Sequence, residues 1–163
     1  AMGGGFYTDN SSRVQAKNSI VAKNHDLKAT PFEIVVSDCY GDFMSDGYNL
    51  IGNAGAFCDL SGDMSGMQYG TAGHTLDPQL GPLTAYVDLR NYYHPVLFGP
   101  VVDSGNPAGC TDYNNDLLTS DQLQESPRPY TGGSAVGYTP RCDLGAIESF
   151  RVRRDLFLPL LAK

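Results

Sequence analysis

Two short apolar stretches, residues 18–24 and 47–53, share one pattern of polar and apolar positions. In each, an Asn precedes three or four small or aliphatic residues, and a second Asn follows them. Such short stretches, with turn residues at both ends and no helical periodicity between them, predict strands in stacked coils. Asn suits the corners because it tolerates the left-handed backbone region and forms local hydrogen bonds. The pattern predicts the end of a parallel β-helix with these strands as rungs.

Further strands are predicted from runs of β-branched residues and from the alternation of apolar and polar positions. Residues 32–36 form the most β-branched run of the chain, and residues 84–89 and 142–148 are shorter candidates. Residues 14–22 are predicted as one strand with a buried set of Val14, Ala16, Ile20 and Val21. No run has the length and period of a helix longer than about two turns.

The intervening segments are predicted as turns and extended chain. Residues 38–42 form a turn and residues 54–73 a long glycine-rich loop, whereas the two prolines of residues 94–103 restrict that segment to an edge. Residues 1–3 are interpreted as a remnant of tag cleavage, and residues 4–150 as the β-helix domain. Residues 151–163 form an apolar tail that is too short to span a bilayer and is expected to fold back onto the domain.

Composition narrows the class of protein and of partner. The 163 residues include 19 Gly and 10 Pro, and only 18% are charged, which favours a turn-rich, all-β extracellular protein. The net charge of −7 disfavours nucleic acid and anionic lipid as partners.

Four cysteines point to an oxidising compartment. They are Cys39, Cys58, Cys110 and Cys142, and none forms the C-x-x-C pair of a zinc or redox site. An even number of cysteines in such a chain predicts two disulfides, for which three connectivities are possible. Sequential pairing is favoured because each bond then closes a local loop, and four reduced buried thiols are the alternative.

Seven motifs occur in an order that resembles a known family. They are NSIVA (18–22), DC (38–39), GYNLIG (47–52), DPQLGPL (77–83), VVDSG (101–105), RP (128–129) and CDLGAIE (142–148). Together they resemble the C-terminal region of bacterial extracellular right-handed parallel β-helix proteins, the choice-of-anchor and polymorphic-outer-membrane-protein-like group with pectate-lyase-like folds. The chain departs from the family at TAYVD (84–88) and DQLQ (121–124). The resemblance implies an extracellular or cell-surface setting and a non-catalytic end of a longer protein.

The acidic residues are candidate catalytic groups of a lyase or a glycosidase. A pectate-lyase-like site needs carboxylates on neighbouring rungs, but most acids here are predicted in turns, where Asp usually bonds its own backbone: Asp9, Asp26, Asp38, Asp42, Asp46, Asp59 and Asp63. A glycosidase needs two carboxylates at a fixed separation. The best inward candidates are Asp103, Asp143 and Glu148, yet nothing in the sequence marks a pair.

Two further groups are candidate binding residues. Asp112, Asn114 and Asp116 place oxygen ligands at alternate positions, as a Ca²⁺ loop would, although the alternative is a solvated turn beside a disulfide. Tyr86 with the pair Tyr92 and Tyr93 predicts an aromatic strip that stacks on sugar rings, and the alternative is that these rings cover the wall of the fold.

Two functions from different classes remain open on this sequence. The first is a structural or adhesive module that binds glycan or a surface protein. The second is a fragment of a polysaccharide lyase or glycoside hydrolase. The first rung, with Ile20 and Val21 facing inward, is expected to be uncovered. Either residues 3–7 fold across it as a cap or two molecules associate end to end through it, while residues 142–148 and the tail cover the other end.

Overall fold

The chain is all-β in the computed structural model, which describes residues 4–9, 11–25, 37–85, 91–96, 99–124, 128–129 and 141–149. No helix occurs among these residues, so none could span a membrane. The strands are β1 (Phe6–Tyr7), β2 (Arg13–Ala16), β3 (Ile20–Val21), β4 (Cys39–Asp46), β5 (Leu50–Ile51), β6 (Cys58–Asp63), β7 (Gln68–Tyr69), β8 (Leu80–Ala85) and β9 (Asn91–Pro95).

The first seven strands stack in three passes of the chain. Strand β4 pairs with β1 and β2 on one side and with β6 on the other, and β5 pairs with both β3 and β7. All of these ladders are parallel, so each pass runs in the same direction as the one before it. Two parallel sheets result, joined by a corner between β2 and β3 that recurs between β4 and β5 and between β6 and β7.

The corner has the same backbone conformation in all three passes. We call β3, β5 and β7 the inner strands. The residues two positions before them are Asn18, Tyr48 and Gly66, and their φ angles are 51°, 56° and 62°. The left-handed region is costly for a bulky residue such as Tyr, whereas Gly occupies it freely. The Tyr48 ring lies where a side chain at Gly66 would be, so a Cβ at residue 66 would clash with it. Glycine is therefore required at that position.

The first apolar core lies between the two parallel sheets. Phe43 of β4 is fully buried and packs with Ile51 of β5, and the Phe6 ring stacks on it with 5.6 Å between ring centroids. The Cys39–Cys58 disulfide joins the second pass to the third across this core, with 5.5 Å between the Cα atoms. Burial of large side chains such as Phe43 stabilises the fold by roughly 1.5–3 kcal/mol each.

A second apolar core lies on the other face of β3 and β5. Leu50 points away from the first core and packs against Val101, Val102 and Leu144, while Ile51 beside it faces the first core. Ile20 of β3 also packs against this second core. The C-terminal segment, which comprises the described residues from 99 to 149, is thus held against the side of the stacked passes. The disulfide Cys110–Cys142 links two parts of this segment.

A buried carboxylate joins the first two passes at the far end of their inner strands. Asp38 is 1% exposed and accepts hydrogen bonds from the amide of Asn53 at 2.7 Å and from the amide and side chain of Asn24 at 2.8 and 3.0 Å. Asn24 and Asn53 are the two residues that close the apolar stretches in the sequence. Their role here is to meet this carboxylate.

The opening Asn residues act differently from each other. Asn18 occupies the left-handed corner, as expected, whereas Asn49 lies one position further along and is 1% exposed. The Asn49 side chain accepts a hydrogen bond from the Ser19 amide at 2.9 Å and donates to the Ala16 carbonyl at 2.9 Å and the Ser45 hydroxyl at 3.0 Å. Asn49 therefore connects the first pass to the second inside the corner.

Several sequence predictions need correction. Residues 14–22 form two strands with a corner between them, because Asn18 adopts a positive φ. The predicted turn at 38–42 and loop at 54–73 instead contain β4, β6 and β7, and residues 142–148 contain no strand.

The expected position of residues 142–148 also differs from the structure. Ile20 is half-buried and packs against the second core, and association through the first pass stays a prediction. The amide of Gly145 bonds to the Asn18 carbonyl at 2.9 Å, which places residues 142–148 beside the first pass. The predicted strand at 32–36 and the tail lie outside the described residues.

Replacing Asp38 with Ala should destabilise the protein by about 3 kcal/mol or more, because at least two buried amides would lose their acceptor. The free energy of unfolding from urea titration measures this loss. Asp42→Ala, on the exposed side of the same region, is the matched control and should change stability by less than about 0.5 kcal/mol. Equal effects from the two substitutions would show that the Asp38 contacts carry no special stability.

Candidate ligand-binding cleft

An open cleft of about 1120 Å³ runs across the corner of all three passes. Its floor is formed by residues 15–20 of the first pass, Asp46 of the second and Asp63 of the third. The antiparallel pair of β8 and β9, the loop at 111–118 and residues 144–147 complete its lining. The corner thus aligns polar side chains from three passes along one groove.

The floor of the cleft carries carboxylates. The Gln15 amide donates to Asp46 Oδ2 at 2.7 Å, and Asp46 and Asp63 lie directly opposite each other in the β4–β6 ladder. Hydrogen bonds from Ser65 lower the pKa of Asp63 below its ordinary value, so this group is ionised at neutral pH. An ionised carboxylate has about four acceptor sites, which leaves each of these groups capacity for a ligand hydroxyl.

A lysine fastens the 111–118 loop to the first pass. Lys17 Nζ donates to Thr111 Oγ1 at 2.9 Å and to Asn115 Oδ1 at 2.8 Å. The carboxylate of Asp112 closes the turn itself, since its Oδ1 accepts the amides of Asn114 at 2.8 Å and Asp116 at 2.9 Å. The loop is therefore a self-bonded turn tied to the sheet.

The proposed Ca²⁺ ligands meet this same turn. No group of three or more His, Cys, Asp or Glu residues suited to a metal occurs within the part of the chain that the structure describes. Because Asp112 Oδ1 already accepts two amides, one of the three expected ligands is engaged in holding the backbone. Ca²⁺ binding by Asp112, Asn114 and Asp116 stays a prediction.

The tyrosines line the cleft but do not form one flat strip. Tyr92 and Tyr93 both border it, yet they are consecutive in β9 and therefore point to opposite faces of the hairpin. Tyr92 contacts His94 edge to face, with 5.1 Å between ring centroids. Tyr86 lies outside the described residues. Tyr113 also lines the cleft and is 87% exposed, although the sequence did not single it out.

A buried charged cluster closes the inner end of the cleft. Arg128 Nε lies 3.1 Å from Glu148 Oε1, and its Nη2 donates to the carbonyls of Asp143 at 3.1 Å and Gly145 at 2.5 Å. Burial lowers the pKa of Arg128, while the charge of Glu148 opposes this shift. Both side chains are almost fully buried, so the pair serves the fold of the C-terminal segment.

The acids considered for glycosidase chemistry belong to this cluster or lie beside it. Asp143 is 2% exposed and accepts the amides of Asp103 at 2.7 Å and Ser149 at 2.6 Å. Burial raises its pKa above the ordinary value for Asp. Asp143 and Glu148 are enclosed by protein, and they share no open groove where a sugar could lie between them.

Four other acids were misplaced by sequence reasoning. Asp42 and Asp46 lie in β4, and Asp59 and Asp63 in β6, where they form two in-register pairs. The sequence suggested turns because Asp and Gly are rare in strands and a Gly lies next to three of these four Asp residues. Only the parallel pairing, which is not a local property, shows that these carboxylates align.

No protein-family model, curated protein or solved structure matches this chain. The geometry of the cleft is therefore the basis for assigning a function.

Replacing Arg128 with Ala should destabilise the protein by about 3–5 kcal/mol, because the buried carboxylate of Glu148 would lose its charge partner. The double variant Arg128→Met/Glu148→Gln removes both charges and should recover a large part of that loss. Urea unfolding of both variants measures the difference. If the double variant is as unstable as the single one, the ion pair is not what holds this segment.

Proposed function

We propose that the chain is the C-terminal end of a secreted or cell-surface right-handed parallel β-helix protein, and that it acts as a non-catalytic module that binds carbohydrate in the cleft. Three successive parallel passes with a repeated corner support the β-helix architecture. Two disulfides support an oxidising, extracellular setting.

The observation that carries the proposal is the cleft's combination of exposed rings and hydrogen-bonding groups. Tyr93 and Tyr113 are 49% and 87% exposed and both line the cleft. The same cleft offers the carboxylates of Asp46 and Asp63 and the amide of Gln15. Rings that stack on the apolar face of a sugar and acceptors that bond its hydroxyls are the two elements of a carbohydrate site.

The charges of the cleft favour a neutral or cationic glycan. Arg128 is paired with the charge of Glu148, whereas Lys17 is bonded to neutral oxygens and keeps its positive charge. Three carboxylates line the same cleft, those of Asp46, Asp63 and Asp112, in a chain of net charge −7, so the lining is negative. An acidic polysaccharide would be repelled by this field.

A glycan array followed by calorimetry on the best ligand tests this proposal. Tyr93→Ala and Tyr113→Ala should each weaken binding about tenfold, because a stacked ring contributes about 0.5–1.5 kcal/mol beyond its area. Tyr69→Ala is the matched control, since Tyr69 is 53% exposed and does not border the cleft. Equal losses for all three variants, or no ligand on the array, would contradict the proposal.

The second candidate is a lyase or hydrolase that acts on polysaccharide, and the in-register pairs Asp42/Asp59 and Asp46/Asp63 favour it. Carboxylates on neighbouring strands are what a Ca²⁺-dependent lyase site requires. Incubation with polygalacturonate and Ca²⁺, followed by the absorbance of unsaturated product, separates the two functions. Turnover that is lost in Asp42→Asn/Asp59→Asn would favour the enzyme over the binding module.

A further inference from the structure

The outer strands of the larger parallel sheet carry opposite charges at matching positions. Arg13 of β2 pairs in register with Asp42 of β4, which pairs with Asp59 of β6. One step beyond β2, Lys17 continues toward the position of Asp46 and Asp63. All of these side chains lie on the outer face, since Val14 and Phe43 between them face the core. One edge of the sheet is therefore basic and the other acidic.

Both outer strands lack a second strand partner among the described residues. Strand β2 pairs only with β4, and so does β6, which has six residues and four exposed positions. An edge strand presents unpaired N–H and C=O groups that can pair with another chain. Charged residues on such edges normally prevent this. Here they repel only a like edge, because the two edges differ in sign.

A column of aromatic rings reaches both edges beside these charges. Tyr7, Tyr40 and Phe57 stack with ring centroids 5.1 and 5.7 Å apart and planes inclined by 22° and 24°. Tyr7 is 52% and Phe57 59% exposed, so each end of the column leaves an apolar ring in contact with solvent. The column ends at the first pass on one side and at the third pass on the other.

We propose that a second copy of this chain docks head to tail on the first, with its β2 adding in parallel to β6. In this contact β6 of one copy takes the place beside β2 that a preceding coil would occupy in the longer β-helix of the proposed function, so the association belongs to the 163-residue chain on its own. Continuing the observed register places Arg13 of the second copy beside Asp59 and Val14 beside Leu60. It also places Tyr7 of the second copy on the exposed face of Phe57. The docked copy thus extends the ladder and the ring column by the same step that relates the passes within one chain. It also gives Asp59 an Arg13 neighbour, as Asp42 has within one chain, whereas the β4–β6 ladder places Asp59 beside the like charge of Asp42.

The electrostatics select this arrangement over its alternatives. If two copies met through their β2 edges, Arg13 and Lys17 of one copy would lie against the same residues of the other. If they met through their β6 edges, Asp59 and Asp63 of the two copies would lie together. Opposite charges directly across a ladder stabilise the pairing, whereas like charges destabilise it. Head-to-tail contact is heterologous and does not close, so higher concentration lengthens the assembly instead of stopping at a dimer.

Light scattering and sedimentation velocity on the 163-residue protein, from micromolar to millimolar concentration, test the proposal. The mean mass should rise with concentration, and the rise should weaken as salt screens the charge pairs. Arg13→Asp and Asp59→Arg should each weaken association about tenfold, because each reversal turns an attractive cross-strand pair into a repulsive one. Asp77→Arg is the charge-matched control for Asp59→Arg, since Asp77 is exposed and lies in neither strand.

The decisive arm mixes the two single variants in equal amounts. The aspartate introduced on the head of one variant then meets the arginine introduced on the tail of the other, and the unmutated head and tail also meet as an opposite-charge pair. The mixture should therefore regain the association of the unmodified protein. Circular dichroism and melting temperature check that both variants fold, which is expected because Arg13 and Asp59 are both exposed.

Three results would overturn the proposal. The first is a protein that remains monomeric at millimolar concentration. The second is association that both charge reversals leave unchanged, and the third is a mixture of the two variants that does not recover.

Discussion

The in-register parallel pairing of β4 is the constraint on which the rest of this structure depends. Strand β4 is bonded to β1 and β2 on one side and to β6 on the other, so its residues fix the positions of three other strands. This register brings three kinds of pair together, at matching or adjacent positions of β4 and its neighbours. They are the cysteines of the Cys39–Cys58 bond, the stacked rings and the two aspartate pairs. Because side chains alternate across a strand, a slip of one residue would exchange the core face and the outer face together.

Polar contacts stabilise the parts of the fold where the apolar core is small. The inner strands are only two residues long, so few ladder hydrogen bonds hold each pass at its corner. Asn49 inside the corner and Asp38 at the far end supply bonds to backbone groups of the neighbouring pass. The Arg128–Glu148 pair does the same for the irregular C-terminal segment, which has no strand of its own between residues 141 and 149. Buried groups of this kind are stabilising only as complete sets, because an unpaired member costs more than a pair contributes.

The sequence predicted the features that depend on local chemistry. The all-β class followed from short apolar runs between turn residues, and the sequential disulfide pairing from the loops that it closes. Asn18 was identified as a corner residue for the reason observed, its tolerance of positive φ. In contrast, β6 contains one large aliphatic residue, Leu60, among Asp, Ser and Gly, so no propensity would mark it as a strand. It is a strand because β4 offers it a complete ladder, and that is a property of the fold.

The same non-local origin explains why the candidate site was only partly foreseen. Tyr92, Tyr93 and Asp112 do border one cleft, but Gln15, Asp46 and Asp63 join them only because three passes turn at the same corner. In a stacked fold, the outward-facing residues at equivalent positions of successive passes lie next to one another. They form a column with one residue from each pass. Carboxylates and rings are then spaced by the strand separation of about 4.8 Å, whatever their distance in the sequence. Such columns are suited to a ligand that is itself a chain of repeated units. In this protein the buried carboxylate of Asp143 accepts backbone amides, whereas Asp46, Asp63 and the tyrosine rings line the open cleft. The proposed recognition of carbohydrate depends on this division between buried acids that hold the fold and open groups that can bond or stack on a ligand.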